Sequence, residues 1–547
     1  MNEFDMLIIT VLLFCCGGLW AMAGYADKVK NSKWRLCWLI PPLLCLMLTL
    51  MAGFDKCMIG AYIGALALLY GLVNPEKKSR RLTSLAAAAC ALVTLPVCLF
   101  SGTYRKIDYA ADFKMGFERM KNRYVLSEHK QVDWDALYSE YFPQFEEITG
   151  SGDEVDNEIL WAKFCAEFHD LHVGFVSDEE TYEAAFKRAA GNDYGLVIVT
   201  LADGRTVAAN VDESLASIGI HNGTEIISWN SMTPAEADEL SDYYHMQNFA
   251  DEDNARFYEG FFAAGTGGDT AELVYIDNGS QKTVNLSKIS DDYYSRAYNV
   301  YETINQGLKV GHMSFTKLND TTACLRIKSM MFDTVSEKDN HAAMQKELRE
   351  QILALKEEGV RDVVIDIREN NGGSGNMVKA ISQLFAPEGE HYYVSDAYWD
   401  NKNKCYVKES DGVWKKENDV TFQGENILGD EGRIILMVTA HSASAADHMA
   451  KVMTDFDNAT VIGFTEPAGS AQGVAGIDLK SGTLAYSAAL MLNKDGTVFV
   501  DSGTDYQADD DVQIKVPFDE QAFDALFNDG EDYLLNYSLE YLANMDR

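Results

Sequence analysis

The sequence predicts a multi-domain chain: four N-terminal transmembrane helices, then an α+β and α/β body with a βαβ-containing core. Three observations carry that expectation. Four long apolar runs crowd residues 1–103, and strand-like and helical periodicities alternate from about Gly311 to Lys515. The charge also divides between the two parts. The chain of 547 residues has a net charge of −38. Residues 1–104 hold nine Lys/Arg and five Asp/Glu, net +4, and the remainder 37 against 79, net −42. So acidic a body repels phosphate, which excludes nucleic-acid partners.

The apolar runs are Met6–Ala26, Leu36–Phe54, Cys57–Val73 and Thr83–Phe100. Each approaches the roughly 20 residues that a helix needs to cross the hydrocarbon core. A signal peptide followed by buried helices is the alternative, but four runs in succession exceed any signal peptide. Lys28, Lys30, Lys33 and Arg35 follow the first run; Lys77, Lys78, Arg80 and Arg81 precede the fourth. The positive-inside rule places both loops in the cytoplasm and the acidic body outside it. The expectation is a multi-pass cell-membrane protein with the lipid bilayer as partner. Seven of the ten cysteines, Cys15 to Cys98, lie in or beside the runs. Cys165, Cys324 and Cys405 are too scattered for a disulfide framework or a metal site, and no metal or cofactor is expected.

The body divides into 104–185, 190–290, 300–530 and a helical tail, 531–547. FKMGFERMKNRY, WDALYSEYFPQF and NEILWAKFCAEFHDLH space apolar residues by three and four, predicting helices. From about Asn192 to Ile289 strands dominate, with hairpin turns at ADGR and DNGS. The order of a short helix, a Gly-containing turn and the strand EIISWN resembles a PDZ domain. Gly223-Thr224 and Asn230-Ser231 stand where that family has Gly-Asp and Asn-Gly, and an unrelated small β-domain is the alternative. Beyond Gly311, VRDVVIDI and RIILMVTA are near-continuous apolar strands, as in a covered parallel sheet. Helices follow them, which gives the βαβ core.

Three motifs sit at strand C-termini, where open α/β sheets build sites. DIRENNGGSG, Asp366 to Gly375, offers backbone N–H groups at Gly372 and Gly373, though a tight turn is the plainer reading. HSASAADHMA, His441 to Ala450, fits a capping box, Ser444 to Asp447. A serine at a strand-to-helix turn is also how hydrolases expose a nucleophile, beside a helix N-terminus. VIGFTEPAGSAQG, Val461 to Gly473, is the third.

Together these motifs resemble the C-terminal processing (tail-specific) serine peptidase family and its tricorn-like relatives, from about Asp108 to Val516. The family's Asp-Leu-Arg-x-Asn-x-Gly-Gly stands here as Asp366-Ile367-Arg368-Glu369-Asn370-Asn371-Gly372-Gly373. Its Ser-Ala-Ser-Ala-x-acid stands as Ser442-Ala443-Ser444-Ala445-Ala446-Asp447. The resemblance implies a ClpP/crotonase-like core, with Ser444 rather than Ser442 as nucleophile. The lysine base of many members, 25 residues on, is replaced by Gly469, and no lysine occurs between Lys451 and Lys480. Tricorn-like members use a histidine in a Leu-x-Asp-x-His-type motif. Phe168-His169-Asp170-Leu171-His172 places it at His172, although Leu171 replaces tricorn's serine. His169, His441 and His448 are fallback bases. The acid that orients the base falls on Asp501.

The resemblance thus implies a serine endopeptidase acting on protein or peptide substrates, and the apolar runs with their basic loops make it membrane-anchored and extracytoplasmic. Ser444 attacks, His172 carries the proton, Asp501 orients it, and N–H groups of Gly372 or Gly373 and of Ala445 hold the oxyanion. The rival is an inactive membrane receptor or scaffold that captures peptide C-termini through the PDZ-like domain. Substrate identity and oligomeric state, homo-oligomers included, stay open.

Overall fold

Three neighbouring parallel strands end side by side: Asp362–Asp366, Ile434–Val438 and Ala459–Gly463. In register, Met437 faces Asp366 and Val438 faces Gly463. The three motif loops therefore leave the sheet at one end. The computed structural model containing them describes residues 107–306, 312–331, 337–501 and 511–545. The sheet has six strands, in the order Ile514–Lys515, Ala459–Gly463, Ile434–Val438, Asp362–Asp366, Thr322–Ile327 and Met313–Lys317. Every pair is parallel except the last.

Successive side chains on a strand point to opposite faces, so each strand feeds two cores. Val363, Ile365, Leu436, Val438 and Val461 pack with the helices Gly375–Phe385 and Ala445–Met453. Val364, Ile435, Met437 and Ile462 face the other way, toward Tyr194, Trp229, Phe464 and Leu534. Burial on both faces is why these strands are apolar throughout rather than alternating.

The helices Tyr109–Lys121, Trp134–Ser151 and Glu154–Ala166 each begin on an aspartate, Asp108, Asp133 and Asp153, whose side chain accepts a backbone N–H of the first turn. Their apolar stripes close on rings. Phe113 stacks on Phe145 with centroids 4.3 Å apart and lies 5.3 Å from Trp161. Beyond Ala166 the chain turns and enters the core. Gly174–Val176 pairs antiparallel with Thr483–Ala489, Phe175 opposite Leu484. This pairing fixes residues 169–173 next to the catalytic-core strands.

Within 190–290 lie a hairpin, Val197–Thr200 with Thr206–Ala209, and a three-stranded sheet, Ile226–Trp229, Thr270–Asp277 and Ser280–Ser287. The helix after Trp229, Pro234–Asp238, has only five residues. That is too short to wall a PDZ-type peptide groove, and the PDZ expectation has no support here. The segment's apolar residues share one cluster with Val364 and Ile435. The tail helix Tyr533–Asn544 joins the same cluster through Leu534 and Leu542. The described residues from Asp108 onward form one unit.

The fold class expected from the sequence needs correction. Among the described residues no helix is long and apolar enough to cross a membrane. What the structure supports is the α/β fold, without the four transmembrane helices. The apolar runs on which that part of the expectation rested lie in 1–103, outside the described residues.

Candidate active site

Ser444 takes φ 57° and ψ −114° at the start of the helix Ala445–Met453, and its side chain makes no capping hydrogen bond. A non-glycine residue at positive φ is costly, by about 1–3 kcal/mol, and persists where the surroundings impose it. Here the neighbours do so. The Ser444 N–H donates to Ser470 O at 3.0 Å, and its carbonyl accepts the His448 N–H at 3.1 Å. The capping box that the sequence allows is not formed. Asp447 instead accepts the Gly469 N–H at 2.8 Å and anchors the third motif loop. Ser442 differs in kind: it is fully buried, donates to Ile367 O at 2.9 Å and accepts the Thr439 N–H at 3.1 Å. Its hydroxyl is committed to structure.

Gly372 lies against the serine. A Cβ there would sit 2.6 Å from Ser444 Cβ, 2.7 Å from Ala443 O and 3.0 Å from Ala445 N, at φ +97°. Only glycine permits this approach. Its own N–H, expected from the sequence as an oxyanion donor, donates to Asn370 Oδ1 at 2.9 Å. Gly372 therefore serves by leaving space, which leaves Gly373 and Ala445 of the three expected donors. Asn370, fully buried, is the organiser: Nδ2 donates to Ile327 O at 2.9 Å and its carbonyl accepts the Ala443 N–H at 3.0 Å. It ties the glycine loop to the serine loop.

His172 reaches this end of the sheet through Ser470. Ser470 Oγ accepts the Leu171 N–H at 2.9 Å, while its carbonyl holds Ser444. One residue thus touches both Ser444 and the turn carrying His172. Both ring nitrogens of His172 are buried and without a hydrogen-bond partner. Burial lowers its pKa, partly countered by the Asp170 carboxylate, so a neutral imidazole is favoured. The other histidines are occupied. His448, whose pKa also responds to His172, bonds through Nε2 to Ala471 O at 2.8 Å, and burial lowers it to about 4. His441 meets Tyr301 edge-on at 4.1 Å, with its pKa pushed by burial to about 3. His169 Nδ1 pairs with Phe249 O at 3.1 Å.

Asp501 forms an ion pair with Lys130 Nζ at 2.9 Å and lies 3.5 Å from His129 Nε2. The carboxylate whose charge acts on His172 is Asp170. It stands in the quoted motif, yet nothing in the sequence alone marks it as more than a neighbour. Asn248 clamps the same turn: its Nδ2 donates to Asp170 O at 2.6 Å and Val173 O at 2.9 Å, and its Oδ1 accepts the Asp170 N–H at 3.0 Å. Asn254 Nδ2 holds the facing loop through Pro467 O at 2.8 Å. These contacts span 75 to 213 positions of sequence, beyond the reach of local pattern. Cys165, Cys324 and Cys405 are free thiols. Among the described residues no cluster of three or more His, Cys, Asp or Glu has the form of a metal site.

Residues 321–509 match the model of Peptidase family S41. A segment of 123 residues is 27% identical to the tail-specific protease of Haemophilus influenzae (strain ATCC 51907 / DSM 11121 / KW20 / Rd). That match covers 22% of this chain and 15% of the relative's length. Among solved structures, mature CPAF superposes with a TM-score of 0.50 at 13% identity, over 80% of this chain and 95% of that one. The tricorn protease covers 80% of this chain and 37% of its own, at 14% identity, with a TM-score of 0.33, too low to establish a common fold.

Proposed function

From a core that belongs to the C-terminal processing serine peptidases of family S41, we propose that this chain is a serine endopeptidase working through an acyl-enzyme. One observation carries the proposal: the strained, uncapped Ser444 at a helix start, with Gly372 leaving no room for a side chain beside it. Ser444 Oγ attacks the carbonyl carbon of the scissile peptide bond. His172 takes the hydroxyl proton and returns it to the amine nitrogen as the C–N bond breaks. The N–H groups of Gly373 and Ala445 hold the oxyanion, aided by the helix N-terminus. Water then attacks the acyl-serine, with His172 again as base. Asp501, the acid expected to orient the base, is paired with Lys130 instead.

Ser444→Ala is expected to abolish peptide cleavage and labelling by a fluorophosphonate probe. Ser442→Ala is expected to retain labelling while losing stability, because it leaves a buried N–H and carbonyl unpaired. Equal loss of labelling in both, with both folded, would move the nucleophile away from Ser444. The finer reading places the acidic body outside the cytoplasm, attached to the lipid bilayer through residues 1–103. Its support is the sequence: apolar runs flanked by basic loops, and a net charge of −42 beyond residue 104. A reporter fused after residue 104 and active only in the cytoplasm would overturn that placement.

A further inference from the structure

We propose that Asp170 is the positioning residue of His172, setting both the placement and the charge preference of the imidazole. This deepens the peptidase reading and rests on it. Asp170 is fully buried and acts as acceptor in three hydrogen bonds, the pattern of a carboxylate. Oδ1 accepts the His172 backbone N–H at 2.9 Å. Oδ2 accepts the Tyr124 hydroxyl at 3.0 Å and the Ser487 hydroxyl at 2.7 Å. Tyr124 follows the first helix of the helical region, and Ser487 lies on the strand Thr483–Ala489. The Asp170 N–H and carbonyl are held by Asn248. A carboxylate with every direction fixed cannot turn away from the histidine it adjoins.

Among the described residues two titratable groups are coupled in charge to His172: Asp170 from its own turn and His448 from the helix of Ser444. His448 stays neutral in the assayed range, pinned by burial and by Ala471 O. Glu466 on the facing loop accepts the Asp511 and Val512 N–H groups. Asp170 is therefore the charge that stabilises the imidazolium formed when Ser444 gives up its proton. Asp501 is engaged with Lys130.

The test is the pH profile of kcat/KM for peptide cleavage by the full chain. Asp170→Asn removes the charge, so His172 loses its proton at lower pH. The acidic limb is expected to move down, with kcat reduced and KM little changed. Asp501→Asn is expected to leave that limb in place. A reduced plateau with an unmoved limb in Asp170→Asn would show a merely structural residue and overturn the inference. If Asp170→Asn does not fold, Tyr124→Phe carries the test. It takes one hydroxyl from the carboxylate without removing its charge, so the limb moves up, and an unmoved limb there overturns the inference equally. His172→Ala separates the two levels. Wild-type cleavage by that variant would remove His172 as the base and the role of Asp170 with it, whereas no cleavage by the unmodified chain would sink the peptidase reading itself. An inactive His172→Ala beside an unmoved limb sinks only the role of Asp170.

Discussion

At the scale of single residues, the site depends on one missing side chain and one buried ring. Gly372→Ala would drive a Cβ to 2.6 Å from Ser444 and force φ +97° on an alanine. Cleavage is expected to fall by about 100-fold or more, because the serine is displaced from the Gly373 and Ala445 donors. A fluorophosphonate labelling rate reads that displacement apart from any loss of substrate binding. For His172, burial favours the neutral form, which is the form that acts as base. The acidic half-loss of cleavage is therefore expected below pH 6.5, the value near which an ordinary imidazole would give it. A profile with its acidic limb above 6.5 would contradict that placement. The expectation of Ser444 over Ser442 rests on the family resemblance, through the spacing to Asp447. What was not legible is that the Asp447 carboxylate also takes the Gly469 N–H of a distant loop. The same four-residue pattern serves a capping box and an exposed nucleophile, and only the distant loop decides between them.

At the scale of elements, the glycine loop is braced from the far end of the chain. Arg368 is almost wholly buried and pairs with Asp366 at 2.7 Å on one side and Asp532 at 2.7 Å on the other. Asp532 also caps the tail helix, accepting the Leu535 N–H at 3.1 Å. Asp532→Ala strips a partner from a buried charge and uncaps a helix, at a cost of about 3 kcal/mol or more. Urea unfolding would show it as a lowered midpoint. Arg368 holds the Asp532 carboxyl below the usual carboxylate range. The stability it contributes is thus present above its unfolded pKa and lost as pH falls through the lowered folded value. The penalty of Asp532→Ala is accordingly expected at neutral pH and shrinks in acid. Strand identities were legible because a parallel sheet covered on both faces demands continuous apolar runs. The merging of 190–290 with the core was not. Local periodicity tells which face of a strand is apolar, never what that face meets.

At the scale of the whole molecule, two buried carboxyls set an unusual pH response. Burial raises Glu158 and Asp238 each to about 7. The folded state then holds protons that the unfolded chain has released above about 4.5, so the stability these two groups contribute is greatest at low pH and is lost as pH rises toward 7. Thermal melts are expected to show a falling midpoint between pH 5 and 7.5, and Glu158→Gln is expected to flatten part of that fall. A midpoint that climbs over this range would contradict both shifts. At the same scale, Asn248 and Asn254 have a bearing on inheritance. The stretch that matches the family model begins at residue 321 and includes Ser444, but His172 and both asparagine clamps lie before it. Recombination at that boundary would transmit Ser444 without His172, and with neither facing loop tethered. The two halves of this chain can drift in sequence, but they must travel together.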